Sequence, residues 1–309
     1  MQIIKITDAT SIQTGDLSES DVWFGLLEHL DTNNLVEAQL RDRIYWKLPA
    51  GDSNNQRTCK NRFDHINFTL KRLVKQHLED RTVLRVLDAG CSDAITSCEW
   101  FGTFPENTKI EMLACDLHTK FEVITSQIGE AIYRYDGICI QFKLRNRFWT
   151  APFLKRTIKN KAKSMLLSLA GWTMSNMPLL QLTKSTVSLF HPEALSLSNE
   201  KNGFRLVQKN ITKPINQEFD LIRIMNVFHN WHLNDVMQTV RTVSSSLTDG
   251  GVICIGYGQS VGTWSAEYGE RISFFRRSAD RLVSIEDLNA PIKEKQAIEN
   301  LQLISHQRL

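Results

Sequence analysis

The sequence predicts an α/β fold, a doubly wound and mostly parallel sheet, and three observations predict it. First, Val83-Leu84-Arg85-Val86-Leu87 is an apolar, β-branched run of about five residues that ends abruptly in Asp88-Ala89-Gly90, a strand feeding a tight turn. Second, the turn runs into Ala94 to Phe101, where helical spacing sets Ile95, Cys98 and Phe101 on one side. Third, the pattern recurs: Ile110 to Cys115 is a second strand closing on Asp116, and further strands open at Asp220-Leu221-Ile222 and at Val252-Ile253. Strand, close turn and helix in this order place a nucleotide site at the carboxyl ends of the strands.

The remaining elements follow in order. A capped helix is predicted from Ser18 or Ser20, with Glu19 and Asp21 at its positive end and Val22, Phe24, Leu26, Leu27 and Leu30 behind. A second helix covers Leu35 to Lys47, Pro49 to Asn55 reads as a loop, and a third, amphipathic helix covers Arg62 to Leu78. After the second strand the expected third strand is delayed. Tyr133 to Phe142 instead reads as a hairpin on Asp136-Gly137, and a helical insertion follows. The third strand then comes at Gly203 to Ile211. A helix from Asp235 to Leu247 ends in Thr248-Asp249-Gly250-Gly251 before the strand Val252 to Gly256. Arg271 to Arg277 and Arg281 to Ile285 make a terminal hairpin, and Lys293 to Leu303 a closing helix. The expected partition is an N-terminal helical region over 1–80, a core over 81–290 with an insertion over 130–200, and a C-terminal helix over 291–309.

Composition sets bounds. With 309 residues and 42% hydrophobic side chains, the chain can bury a substantial core. Its six cysteines never form Cys-x-x-Cys, so neither a zinc site nor a disulfide framework is expected, no metal ligand spacing is present, and a reducing cytoplasm fits best. The N-terminus lacks the pattern of a secretory signal. The net charge of +3 hides an asymmetry. Residues 137–192 contain no Asp or Glu and nine Lys or Arg, which leaves 28 basic against 34 acidic side chains elsewhere. Within this cationic island Phe153, Leu154, Ile158, Ala162, Met165, Leu166 and Leu169 recur at helical spacing, with Lys155, Arg156, Lys159 and Lys163 elsewhere on the wheel, a basic amphipathic helix. Residues 164–183 carry no charge, but Gly171, Pro178 and their polar neighbours make a poor membrane span, so an interfacial helix or a pocket lid is expected. No nucleic-acid-binding motif accompanies the basic residues.

Leu87-Asp88-Ala89-Gly90-Cys91-Ser92-Asp93-Ala94 resembles the first motif of the class I S-adenosylmethionine-dependent methyltransferases, with Ser92 and Ala94 where the second and third glycines stand. A nicotinamide fingerprint, G-x-G-x-x-G, is broken at Ser92 and Ile95. Asn226-Val227-Phe228 resembles the end of the same family's fourth motif, and His229-Asn230-Trp231 its His-Asp-Trp segment, in which the histidine is the base of O-methyltransferases.

The resemblance implies a Rossmann-like sheet of seven strands, mostly parallel with a terminal antiparallel hairpin, and S-adenosylmethionine as cofactor. Gly90, Cys91 and Ser92 would cradle its methionine half. Asp88 would orient that loop or reach the cofactor amine, Asp116 would accept the ribose hydroxyls, and Asn210, Ile211 and Asn226 would line the adenine and strand-end side. His229 would be the general base. The implied activity is methyl transfer to a small, apolar or lipid-like acceptor, with O-methylation favoured. Residues 143–184 would offer a peripheral membrane or carrier-protein contact. The alternative is a methyltransferase-fold binding or scaffolding protein without turnover.

Overall fold

The computed structural model describes residues 23–30, 34–45, 48–50, 54–55, 58, 60–105, 108–145, 147–151, 158–176, 181–228, 231–257 and 270–303. After a 3-10 turn at Phe24–Glu28, its elements run α1 (Leu35–Tyr45), β1 (Pro49–Ala50), β2 (Asn54–Asn55), α2 (Asp64–His77), β3 (Val83–Ala89), α3 (Ile95–Gly102) and β4 (Lys109–Asp116). Next come β5 (Lys120–Thr125), β6 (Gly129–Arg134), β7 (Cys139–Leu144), β8 (Arg147–Thr150), α4 (Ile158–Asn176) and β9 (Thr183–Ser188). The chain continues through α5 (Pro192–Glu200), β10 (Phe204–Gln208), β11 (Phe219–Met225), α6 (Leu233–Ser244), β12 (Leu247–Tyr257), β13 (Arg271–Ser278), β14 (Arg281–Leu288) and α7 (Lys295–Glu299). They form two compact units, Met1–Arg57 with His118–Leu189 and Thr58–Leu117 with Phe190–Leu309.

The second unit holds a seven-stranded sheet in the order β10-β4-β3-β11-β12-β13-β14. The first five strands are parallel and the last two join as an antiparallel hairpin. Strand residues alternate between two cores, as a pleat of period two requires. Val86 and Leu221 face Ile66, Leu70 and Trp100 from α2 and α3. Leu87, Ile222 and Ile224 face Val236, Val240 and Val243 from α6. The fold is therefore a doubly wound, Rossmann-like α/β sheet. The delayed third strand and the terminal hairpin lie where the sequence placed them. β12, however, begins at Leu247 rather than Val252, because Gly250, in the left-handed region at φ 76°, and Gly251 form a bulge inside the strand instead of a turn before it.

β11 is buried at every position, Arg223 included. Arg223 sits directly opposite Asp88 in the ladder. Its Nε donates to Asp88 Oδ1 at 3.0 Å and its Nη2 to Asp88 Oδ2 at 2.5 Å. Further bonds run from Nη1 to Asn67 Oδ1 at 2.8 Å and from Nη2 to the Thr96 carbonyl at 3.2 Å, while Ser97 Oγ donates to Asp88 Oδ2 at 2.6 Å. The guanidinium lies 4.3 Å from the ring centre of Trp100. Bonds at every guanidinium nitrogen and at both carboxylate oxygens are what a buried ion pair needs to persist.

The first unit departs from the expected helical insertion. It is a five-stranded antiparallel sheet, β8-β7-β6-β5-β9, with α4 packed on it. Lys120–Thr125 alternates exposed and buried side chains around Phe121, Val123 and Ile124, a strand signal that the search for a third parallel strand passed over. The hairpin on Asp136-Gly137 is present, with Gly137 at φ 78°. Trp23, Phe24, Ile44 and Tyr45 pack against Phe121, Val123, Ile132 and Val187 of this sheet. By contact the described residues of 1–57 group with 118–189, and α2 groups with the parallel sheet. The predicted cap at Ser18 or Ser20, and Lys155 and Arg156, lie outside the described residues.

α4 is also not amphipathic in the expected sense. Ser164, Leu167, Gly171 and Met174 are buried, and Gly171 lets the helix approach so closely that a Cβ there would lie 2.8 Å from Tyr133 Oη and 2.9 Å from Cys139 Sγ. Much of the opposite side is apolar too.

Replacing Arg223 by Met should cost about 3–5 kcal/mol in chemical denaturation, because it strands the Asp88 carboxylate in the core, and D88L/R223M should recover at least half of that loss. A single-mutant cost below about 1 kcal/mol would show that the pair does not hold the strands.

Candidate functional site

The site is built at the carboxyl edge of the parallel strands in the second unit. Between β3 and α3 the chain takes three left-handed residues within five: Gly90 at φ 78°, Ser92 at 61° and Ala94 at 66°. For the two residues with a Cβ this conformation costs about 1–2 kcal/mol each, so surrounding bonds must impose it. Gly90 N and Cys91 N both donate to the Cys115 carbonyl, at 2.8 and 3.0 Å. Ser92 N donates to Asp116 Oδ2 at 2.8 Å. Ala94 N donates to the Cys91 carbonyl, Ile95 N to Asp93 Oδ1, and His191 N to the Asp93 carbonyl. The turn is therefore clamped to the end of β4, and its amides point into the protein. The amides of Gly90, Cys91 and Ser92 are thus committed to the protein.

Gly90, Cys91, Ser92 and Asp116 are brought together here. Gly90, Ser92 and Asp116 are half-exposed, while the Cys91 side chain is buried. Burial, followed by the Asp116 and Asp88 charges, pushes the Cys91 thiol well up, and burial with Asp116 pushes Cys115 up to about 12. Both stay protonated at neutral pH, so the turn supplies no thiolate. The space beside the motif glycine is taken by protein: a Cβ on Gly90 would lie 2.3 Å from Val227 Cγ2. Asn226 lies at the end of the adjacent strand at φ 60°, with its N–H on the Gly256 carbonyl.

Three expected residues stand differently. Asp88 has both carboxylate oxygens bonded by Arg223 and Ser97 at 3% exposure, so it anchors the turn from the core and does not reach toward a ligand amine. Asn210 Oδ1, the acceptor expected for an adenine amino group, accepts instead from Thr212 N at 2.9 Å and Thr212 Oγ1 at 2.8 Å. The Ile211 side chain is buried in the core with Phe228. His229 and Asn230 lie outside the described residues. His232 is the N-cap residue of α6, beside an open cleft of about 480 Å³ lined by Thr212, Lys213, Trp231, Asp235 and others.

Sequence reasoning missed a second polar cluster on the same edge. Glu270 directly precedes β13, whose first residue pairs with the last of β12, so it lies in one row with the ends of β3, β11 and β12. His65, in the first turn of α2, places Nε2 2.8 Å from each Glu270 oxygen, and Asn289 Nδ2 donates to Glu270 Oε2 at 2.6 Å. The carboxylate is buried and the imidazole half-exposed. The two residues stand 205 positions apart, so no local pattern could have joined them. Arg223 was missed as well, although a lone charge inside Leu221-Ile222-Arg223-Ile224 was a signal in plain sight. Among the described residues no cluster of His, Cys, Asp or Glu could hold a metal ion.

No family model and no curated protein matches the chain. Solved structures similar to it are mostly methyltransferases. An S-adenosylmethionine-dependent methyltransferase from Clostridium acetobutylicum is 16% identical, with 79% of this chain and 86% of that one covered and a TM-score of 0.32. A putative S-adenosylmethionine-dependent methyltransferase from Methanococcus maripaludis is 13% identical, with 64% and 58% covered and a TM-score of 0.31. An enzyme described as a pericyclic reaction enzyme is 9% identical, with 65% and 34% covered and a TM-score of 0.32. The chain thus spans only about a third of the last protein and under three fifths of the Methanococcus one. Likenesses at this level carry no argument about activity, and the fold class rests on the strand order and pairing of the chain itself.

Gly90→Ala should destabilise the second unit, since it adds both a left-handed Cβ and a clash, and G90A/V227A should relieve only the clash, which denaturation midpoints of the three proteins would resolve. Wild-type stability in Gly90→Ala would contradict the packing at this turn.

Proposed function

We propose that the chain is an S-adenosylmethionine-dependent methyltransferase acting on a small acceptor, by O-methylation. The observation that carries this reading is the Asp116 carboxylate, half-exposed at the carboxyl end of the second parallel strand and bonded to the left-handed turn after the first. The donor set suits the cofactor. A half-exposed carboxylate at this strand end is an acceptor of the kind a ribose diol needs, and the Gly90–Ser92 turn beside it would face the methionine half. Asn226 lies one strand further along the edge. Asn210 and Ile211 would bound the adenine side through their loop backbone, since neither side chain faces outward as an acceptor.

When bound, S-adenosylmethionine supplies an already activated methyl group. The chain has to supply position and a place for the acceptor's proton, and alignment at about 3–3.5 Å between reacting atoms accounts for most of the acceleration. With the sugar on the β4 side of the turn, the acceptor falls on the opposite side, toward β11, β12 and β13. Glu270 stands there, at the start of β13 and three strands from β3, about 14 Å at the usual strand spacing, and His65 is bonded to it. Glu270 holds Nε2 and so leaves Nδ1 to take a hydroxyl proton. His229, four residues after Met225 in the sequence, is a second proton acceptor under the same reading. The second reading, a binding or scaffolding protein without turnover, draws on the occupation of Asn210 Oδ1 by Thr212, which takes one acceptor away from a cofactor's adenine.

Calorimetric titration with S-adenosylmethionine and S-adenosylhomocysteine decides between these readings when paired with a methyl-transfer assay. Wild-type protein should bind both. Asp116→Asn, which keeps an acceptor for Ser92 N, should weaken binding at least tenfold. His65→Asn and Glu270→Gln should bind as wild type and lose about 10²-fold in kcat. No binding of either compound to the wild type would overturn the proposal, and binding without transfer to any hydroxyl acceptor would favour the scaffold.

A further inference from the structure

α4 carries an apolar face that is exposed among the described residues. Ile158, Met165, Leu166, Leu169 and Trp172 are 88, 75, 66, 55 and 63% exposed. At about 100° per residue, Ile158, Met165, Leu169 and Trp172 fall about 140–200° around the helix from Leu167, the residue that anchors it to the antiparallel sheet. Ala162 and Leu166 widen the stripe on one side. Lys161 flanks it on one edge, and Lys159 and Lys163 on the other; all three are exposed. The helix thus has two apolar faces, one already packed and one in water, with cations along the margins of the second. No acid occurs anywhere in residues 137–192.

A contiguous exposed patch of this composition marks an interaction surface. The chemistry of its margins selects the partner. A protein groove for an apolar helix face is not required to be anionic on both rims, whereas an anionic lipid surface is anionic in every direction and has an apolar layer at the depth of the side chains. Lysines that flank the stripe can bury their stems and keep their ammonium groups among lipid phosphates. Trp172 suits the headgroup level, where an indole has one apolar side and one donor. Among the described residues no helix is long and apolar enough to cross a membrane, so the contact would be along the surface.

We infer that the outer face of α4 docks the protein onto anionic membrane surfaces, with Ile158, Met165, Leu166, Leu169 and Trp172 entering the interface and Lys159, Lys161 and Lys163 meeting lipid phosphates. This surface belongs to the first unit alone and stands independently of the methyl-transfer reading. Its anchoring side, through Leu167, Gly171 and Met174, is untouched by changes on the outer face, so variants there keep the fold.

Flotation of the full chain with phosphatidylcholine vesicles, with and without phosphatidylglycerol, tests it. Wild type should float with the anionic vesicles and be released by high salt. L169E/W172E should reduce the bound fraction at least tenfold, and K159Q/K161Q/K163Q should remove the preference for anionic lipid. Circular dichroism and S-adenosylhomocysteine titration should be unchanged in both variants, which separates failure of docking from failure of the cofactor reading. Absence of flotation in the wild type, or flotation indifferent to L169E/W172E, would overturn the inference. Lipid-independent dimers in sedimentation that L169E/W172E dissolves would overturn it too, in favour of a second copy as the occupant.

Discussion

The Asp88–Arg223 pair is the constraint on which the second unit depends. Two charges at nearly zero exposure are tolerable only if every donor and acceptor is met in good geometry. Here the guanidinium fork takes Asp88 from the neighbouring strand, Asn67 from α2 and the Thr96 carbonyl from α3, and lies against Trp100. One side chain therefore fixes two strands and two helices relative to one another. Asp88 is two residues before Gly90, so the height of the turn at the sheet edge follows from the same pair. The acid that opens the motif acts on the turn through position.

What the turn then offers follows from where its amides go. Clamped onto the Cys115 carbonyl and the Asp116 carboxylate, it gives up the amides of Gly90, Cys91 and Ser92. A turn whose amides are already bonded suits a phosphate poorly, since anions need amides or a helix N-terminus turned toward them. That contrast separates this edge from a dinucleotide site on the same kind of sheet. Ser92 and Ala94 in left-handed conformations break a local rule, and a local rule broken inside an otherwise regular unit is where function concentrates.

The parallel sheet was legible because its strands are short apolar runs closed by turn residues, and periodicity reads such runs directly. The site was legible in part. Gly90, Ser92 and Asp116 announce themselves through motif order, whereas His65 and Glu270 meet only through tertiary structure, and Asn210 looks like a ligand contact until Thr212 is seen beside it. The antiparallel unit was misread as helical because its strands, such as Lys120–Thr125 and Thr183–Ser188, are short, polar on one face and far apart in sequence. The apolar stripe read in α4, with Ile158, Met165, Leu166 and Leu169, is its exposed face, while the packed face carries Ser164 and Gly171 beside Leu167 and Met174 and so shows little apolar period. Only the packing of Leu167, Gly171 and Met174 tells the two faces apart.

Hydrogen–deuterium exchange of the full chain with saturating S-adenosylhomocysteine tests most directly whether the carboxyl edge beside Asp116 is the ligand site. The account predicts slowed exchange in peptides spanning 88–95 and 112–117, while peptides from α4 do not change. Unchanged exchange across the turn, or protection confined to segments away from the parallel-sheet edge, would contradict it.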